Sequence, residues 1–219
     1  MDQFRQHEIF EIEVLDCLNS ARILPDLIFG GGTMLRLCHE LNRYSIDLDF
    51  YLKSKDKKNG LPERILTGLN DKYEILDQAV KYRTILFELR SKKYPMRLKI
   101  EINTERECKQ FEQNIAWSTF ASKQILVNAI PIKDMLEMKI EAFLDRKEVR
   151  DAYDIEFLLR KGLTLPDNEK ILTKISKILD FLTDQDIKVK LGSILEPDQR
   201  HYYRTKGFSF LKNKIETSF

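Results

Sequence analysis

Residues Leu27 to Tyr51 read LIFGGGTMLRLCHELNRYSIDLDFY, and the rest of the chain is organised around them. The apolar run Leu27-Ile28-Phe29 has the composition of a buried strand. Gly30, Gly31 and Gly32 then permit a turn that side chains forbid and let another group approach the backbone closely. Thr33 stands where a helix cap is expected. Met34, Leu35, Leu37, Cys38 and Leu41 follow with the spacing of a helix facing a core. Beyond Asn42 the period changes to two. Ile46, Leu48 and Phe50 are expected on one strand face, and Arg43, Ser45, Asp47 and Asp49 on the other.

Two carboxylates at i and i+2 on one strand face lie only about 7 Å apart along the strand. Partly buried and alone they would repel, and one would tend to take up a proton. A divalent cation removes that conflict, and hard oxygen ligands suit magnesium. The glycine turn meanwhile aims unpaired backbone N–H groups, and the positive end of a helix, at whatever sits above it. Phosphate donors beside a carboxylate pair describe a nucleotide–magnesium site. The plainer alternative is a tight strand-to-helix turn next to a solvated strand face.

The chain has 219 residues, 42% hydrophobic and 33% charged, which describes a soluble protein able to bury a core. A net charge of +2 gives no global bias toward nucleic acid, so any such surface must be local. Cys17, Cys38 and Cys108 lack any C-x-x-C spacing, against a disulfide framework or a zinc site. The start, MDQFRQHE, is polar with no following apolar region, and no run approaches membrane-spanning length. These features lead to the expectation of a reduced, cytoplasmic protein that engages no membrane.

Working outward, an amphipathic helix is expected from about Arg5 to Ile23, with Ile9, Ile12 and Leu15 or Cys17 toward the core. His7 reads as part of its solvated face. After Tyr51 the lysine-rich loop KSKDKKNG is either a solvated connection or an attraction for a polyanionic substrate. A helix over Leu61–Asn70 and strands over Tyr73–Asp77, Thr84–Arg90 and Arg97–Asn103 come next. The last of these strands alternates cleanly, with Lys99 and Glu101 outward. Glu105–Ser122 reads as irregular or helical, with Trp117 and Phe120 in the core. Gln124–Ile130 is a strand closed by Pro131.

From Pro131 the pattern is helical. Lys139 falls inside the apolar arc of a helix over Lys133–Lys147, between Met135 and Phe143, where it must snorkel or meet an anion. Arg146 and Arg150 would share its side if that helix continued unbroken. Asp151 and Asp154 border the next apolar stripe, Asp151 serving either as a cap or as a pocket residue. Helices are expected over Asn168–Leu182 and Asp186–Leu195. The tail QRHYYRTKGFSFLKNK interleaves Arg200, Arg204, Lys206, Lys212 and Lys214 with four aromatics. It is either a grip for unpaired bases or a packed C-terminus.

Gly31-Gly32-Thr33 followed by Asp47-x-Asp49 resembles the signature of polymerase-β-type nucleotidyltransferases. The fuller form GGGTxLRL…R-x-S-x-D-L-D-F is similar to the AbiEii/AbiGii toxins of type IV toxin–antitoxin and phage-abortive systems. Lys139, Arg146, Asp151 and Asp154 resemble that family's second block. The resemblance implies two magnesium ions on Asp47, Asp49 and a third carboxylate on a neighbouring strand, Glu101 or, in competition, Glu88. It implies an NTP held by Gly31, Gly32, Thr33, Ser45, Lys139, Asp151 and Asp154, with Lys139 on the triphosphate. Lys139→Met would then keep or raise stability while weakening NTP binding.

The expected architecture is α/β (α+β), a polymerase-β-like nucleotidyltransferase core with a mixed sheet over residues 1–130. A helical domain over 131–219 would close the nucleotide cleft. The expected activity is NMP transfer from an NTP to an RNA acceptor, tRNA being one option, with pyrophosphate release. RNA contact by Arg200, Arg204 and Lys206 and a cognate antitoxin partner belong to the same reading. The alternatives are transfer to a small-molecule or protein hydroxyl, or NTP binding without catalysis.

Overall fold

Leu27–Gly30 forms β1, a four-residue strand buried along its whole length in the interior of a seven-stranded sheet. Such short, continuously apolar strands have both faces covered. The computed structural model describes residues 2–106, 108 and 110–218. Before β1 runs helix α1 (Asp2–Ser20), and after it α2 (Gly31–His39), β2 (Asp47–Leu52) and α3 (Leu61–Leu69). The remaining strands are β3 (Glu74–Val80), β4 (Thr84–Arg90), β5 (Leu98–Asn103), β6 (Glu112–Ala116) and β7 (Ile125–Ala129). They line up as β3-β4-β5-β2-β1-β7-β6. The pairs β2–β5 and β1–β7 are parallel and the others antiparallel, so the sheet is mixed.

Alternation sets the faces. In β2 Leu48, Phe50 and Leu52 are buried while Asp47, Asp49 and Tyr51 are half-buried; β5 repeats this with Leu98, Ile100 and Ile102 inside. Phe29 and Phe50 stack across the strands with ring centroids 5.1 Å apart. Ile46, expected in that apolar row, precedes the strand and is 40% exposed. The stretch expected to be irregular or helical contains β6, paired antiparallel with β7 from Glu112↔Ala129 to Ala116↔Ile125. As an edge strand, β6 carries a weak apolar pattern, which hid it. Trp117 is only half-buried and Phe120 is exposed, with Arg5 over its ring at 5.4 Å.

The chain divides into two compact units. One is Tyr44–Pro131 with the chain through Glu40; the other is Leu41–Arg43 with the chain from Ile132 onward. The second unit contains α4 (Ile132–Arg146), α5 (Val149–Arg160), α6 (Glu169–Phe181), α7 (Pro197–Lys206) and α8 (Ser209–Glu216). The helix expected over Asp186–Leu195 is present, with a π-helical turn at Asp186–Leu191. Its core includes Leu136, Ile140, Phe143, Ile155, Leu158, Leu172, Ile175 and Leu211. The N-cap of α6 is Asn168, whose side chain accepts from Ile171 N–H at 3.2 Å. Among the described residues, no helix is long and apolar enough to cross a membrane.

Candidate active site

Gly31 has φ +72°, and a Cβ there would lie 2.1 Å from Asp49 Oδ2 and 2.8 Å from Asp49 Cβ. Glycine is therefore required twice, for the left-handed backbone and for the space that the Asp49 side chain occupies. Helix α2 starts at this residue, so the N–H groups of Gly31, Gly32 and Thr33 are in its first turn, where no intrahelical acceptor exists. The turn thus brings a carboxylate and the positive end of a helix together. Thr33 does not cap α2, whose N-cap is Gly30. It is fully buried, and its hydroxyl donates to the Asp47 carbonyl at 2.6 Å, tying α2 to the start of β2.

Across the parallel β2–β5 ladder Asp47 stands beside Lys99 and Asp49 beside Glu101. All four alternate with buried apolar residues and so share a face. Glu101 is ion-paired with Lys99. That contact, with smaller contributions from Asp47 and Asp49, raises the Lys99 amino group above its ordinary value against the opposing effect of burial. Glu88 lies one strand further out, on β4, and is engaged by Arg97 at 3.3 Å. Asp47 and Asp49 fit a divalent cation, being neighbouring hard carboxylates with Gly31 leaving room at Asp49. Among the described residues, no three His, Cys, Asp or Glu side chains converge to hold a metal ion.

Behind this face lies a polar cluster that the sequence conceals. His7, expected in solvent, is 1% exposed, and Glu8 and Glu11 are buried beside it. The His7 Nε2 sits 3.0 Å from the Ile46 carbonyl, which calls for the tautomer protonated there. Arg36 Nε donates to Glu8 at 2.5 Å and its guanidinium lies 4.3 Å over the Tyr44 ring. Burial, then Glu8, pushes the Glu11 carboxyl well above the usual range, and burial pushes His7 down despite its bond to Ile46. His7 Nδ1 and Glu11 Oε1 are buried with no hydrogen-bond partner.

In the helical unit, the lysine on the apolar arc meets anions. Lys139 Nζ lies 2.6 Å from Asp154 and 3.4 Å from Asp151, both fully buried. Arg43, expected on the face of β2, instead forks onto Asp154 with Nε and Nη2 at 2.6 and 2.7 Å. Burial alone would raise the Asp154 carboxyl; Arg43 first, then Lys139, holds it below its ordinary value. Arg146 grips Asp151 at 2.8 and 2.9 Å. The cap of α5 is Glu148, and no side-chain cap bond is made there, so Asp151 is not the cap. Helix α4 ends at Arg146 and Lys147 takes φ +56°, which leaves Arg150 exposed and out of line with Lys139.

A family model described as the nucleotidyl transferase AbiEii toxin of a type IV toxin–antitoxin system matches residues 13–179. The chain belongs to the AbiEii nucleotidyltransferase toxin family. Solved structures agree on the fold. A candidate nucleotidyltransferase from H. pylori has a TM-score of 0.62 at 19% identity, covering 99% of this chain and 98% of that one. JHP933 from Helicobacter pylori gives 0.59 at 18%, covering 99% and 95%. MenT4, a nucleotidyltransferase toxin from Mycobacterium tuberculosis, gives 0.57 at 15%, covering 97% and 86%. No curated protein matches the chain significantly. The fold is thus the polymerase-β-like one expected, and the chain is a nucleotidyltransferase.

The remaining expected site residues are spread over the two units. Ser45 is half-buried just before β2, and the loop lysines Lys53, Lys55, Lys57 and Lys58 follow it. Lys53 lies 4.3 Å over the Phe111 ring and Lys57 pairs with Asp26 at 3.4 Å. In the tail, Tyr203 and Phe208 are buried, their ring centroids 5.2 Å apart, so they anchor the C-terminal helices. Arg200 is partly buried and donates to the Leu195 carbonyl at 3.1 Å, whereas Arg204 and Lys206 are exposed on α7. Sequence reasoning missed Arg43 and Glu156. Fully buried Glu156 bonds Arg160 at 2.9 Å, Tyr203 Oη at 3.0 Å and Leu211 N–H at 3.2 Å. A run of helical spacing that included an acid between Ile155 and Phe157 was the available signal.

Proposed function

We propose that this toxin transfers an NMP group from an NTP to an RNA hydroxyl. The observation carrying the reading is the meeting of Asp49 with the side-chain-free Gly31 at the start of α2. Asp47 and Asp49 would hold the cation, magnesium being the one that paired hard carboxylates suit. When bound, it supplies positive charge at the attacking and α-phosphate oxygens. The N–H groups of Gly31, Gly32 and Thr33 would orient the phosphates, with Ser45 near the same strand. Lys139, the family's lysine for the triphosphate, lies in the helical unit, where Asp151 and Asp154 engage it.

In the step itself the acceptor oxygen bonds to the α-phosphorus. The α–β bridging bond breaks, and pyrophosphate leaves with the electron pair. The hydroxyl proton passes to solvent through the carboxylate face. Support for RNA as acceptor is local charge: Lys53 and Lys55 after β2, and Arg204 and Lys206 exposed on α7. A cytoplasmic setting and neutralisation by an antitoxin fit a type IV toxin.

The test is incubation with each labelled NTP, magnesium and total RNA. Label in an RNA species, with pyrophosphate released, is expected. In Asp49→Asn transfer should fall more than about 100-fold, beyond the usual cost of losing an outer-shell partner, at unchanged melting temperature. Full activity in the folded variant would remove the metal-dependent reading, and label only in small molecules or protein would remove RNA as acceptor.

A further inference from the structure

Asp47, Lys99, Asp49 and Glu101 form a rectangle on one face, with about 4.8 Å between strands and about 6.6 Å along each. Three corners are carboxylates and one is an ammonium. Glu101 is matched by Lys99. Asp47 and Asp49 then carry the two charges that one divalent cation neutralises. Glu101, to serve as third ligand, would have to abandon Lys99.

Lys99 differs from Lys139 in access. Its side chain is 38% exposed, whereas that of Lys139 is 8% exposed and sits between two buried aspartates. An exposed ammonium on a four-carbon stem is a mobile point charge suited to phosphate. We propose that Lys99, tethered by Glu101, is a ligand of the nucleotide's phosphates on this face, and that Glu101 positions Lys99 rather than binding metal. The proposal rests on the reading of Asp47 and Asp49 as the cation's ligands.

The double variant Lys99→Met/Glu101→Gln removes the pair without changing net charge, and the exposed positions make folding easy to verify by melting temperature. Two quantities are measured: affinity for Mn2+ without nucleotide, by calorimetry or electron paramagnetic resonance, and affinity for inorganic triphosphate presented as its manganese complex. The expected result is Mn2+ affinity within about twofold of wild type and triphosphate affinity weakened at least about tenfold, the loss of a charge-assisted bond. The single variant Lys99→Met should bind Mn2+ up to about fivefold more tightly, as expected on losing a half-exposed like charge. Lys99→Arg should recover most of the triphosphate affinity.

A tenfold loss of Mn2+ affinity in the double variant would make Glu101 a metal ligand and overturn the assignment. So would unchanged triphosphate affinity. Asp49→Asn separates the levels. If that change leaves Mn2+ affinity untouched, the cation reading itself fails, independently of Lys99.

Discussion

Arg43, Lys139, Asp151 and Asp154 in the helical unit can be set beside His7, Glu8, Glu11 and Arg36 in the sheet unit. Both groups take polar side chains out of water. In the helical unit each buried aspartate meets two cations, Arg146 completing the set, and the Asp154 carboxyl is held below its ordinary value. In the sheet unit Arg36 pairs with Glu8, while Glu11 is pushed up and His7 down. The first cluster therefore works through charge, whereas in the second burial favours the neutral forms of Glu11 and His7. Burial does not by itself fix the state of an ionisable group; the count of partners does.

The largest expected effect is in the charged cluster. Asp154→Ala would strand the Arg43 guanidinium in the interior, with a loss of about 3–5 kcal/mol in urea unfolding. A loss below 1 kcal/mol would mean that water reaches Arg43 and the contrast between the clusters is overstated. Lys139→Met comes next. Sequence alone expects it to be neutral or stabilising, since it removes a charge from an apolar arc. With Asp154 and Asp151 as neighbours it should instead cost about 1–3 kcal/mol, the range for a buried acceptor losing a donor. A rise in melting temperature would restore the first view.

The smallest effect lies in the neutral cluster and depends on pH. For Glu11 the folded carboxyl titrates above the unfolded value of about 4.3, so between the two the folded chain holds the extra proton and stability falls as pH rises. For His7 the folded value is depressed. Below about 6.5 the unfolded chain holds the extra proton, so stability falls as pH drops. The groups acting on Glu11 are Glu8, Arg36, Asp47 and Thr33. In metal-free buffer Glu11→Gln should be roughly 1 kcal/mol more stable than wild type at pH 8 and no more stable at pH 4. Equal melting curves at pH 8 would show that Glu11 is already charged and solvated in the native protein. Asp154 provides the opposite sign, its stabilisation being lost only as pH falls through its depressed folded value.

How far the sequence could be read follows from the range of the forces involved. The β1–turn–α2–β2 order was legible because glycine conformation and period two are local properties. The strand at Thr84–Arg90 was expected with the bounds it has, since its alternation is strong. Edge strand β6 was not, because only Ala116 of its five residues is buried and three are exposed, so no apolar alternation marks it. His7 and Arg43 were misread for a different reason. A polar residue next to polar residues looks solvated unless its distant partner is known, and Ile46 lies 39 positions from His7. For Lys139 the pattern posed the right question, an anion or a snorkel, but only the fold supplies Asp154 and Asp151.

The Arg43–Asp154 fork joins residues 111 positions apart. On the ribosome that separation is a delay. At about 5–20 residues per second, Arg43 is made roughly 6–22 s before its partner. Through that interval the nascent chain already carries Asp47 and Asp49, while Arg43, just ahead of them, still lacks Asp154. A toxin of this family thus lacks one of its buried ion pairs until Asp154 has been made, a lag set by where two residues stand in the gene.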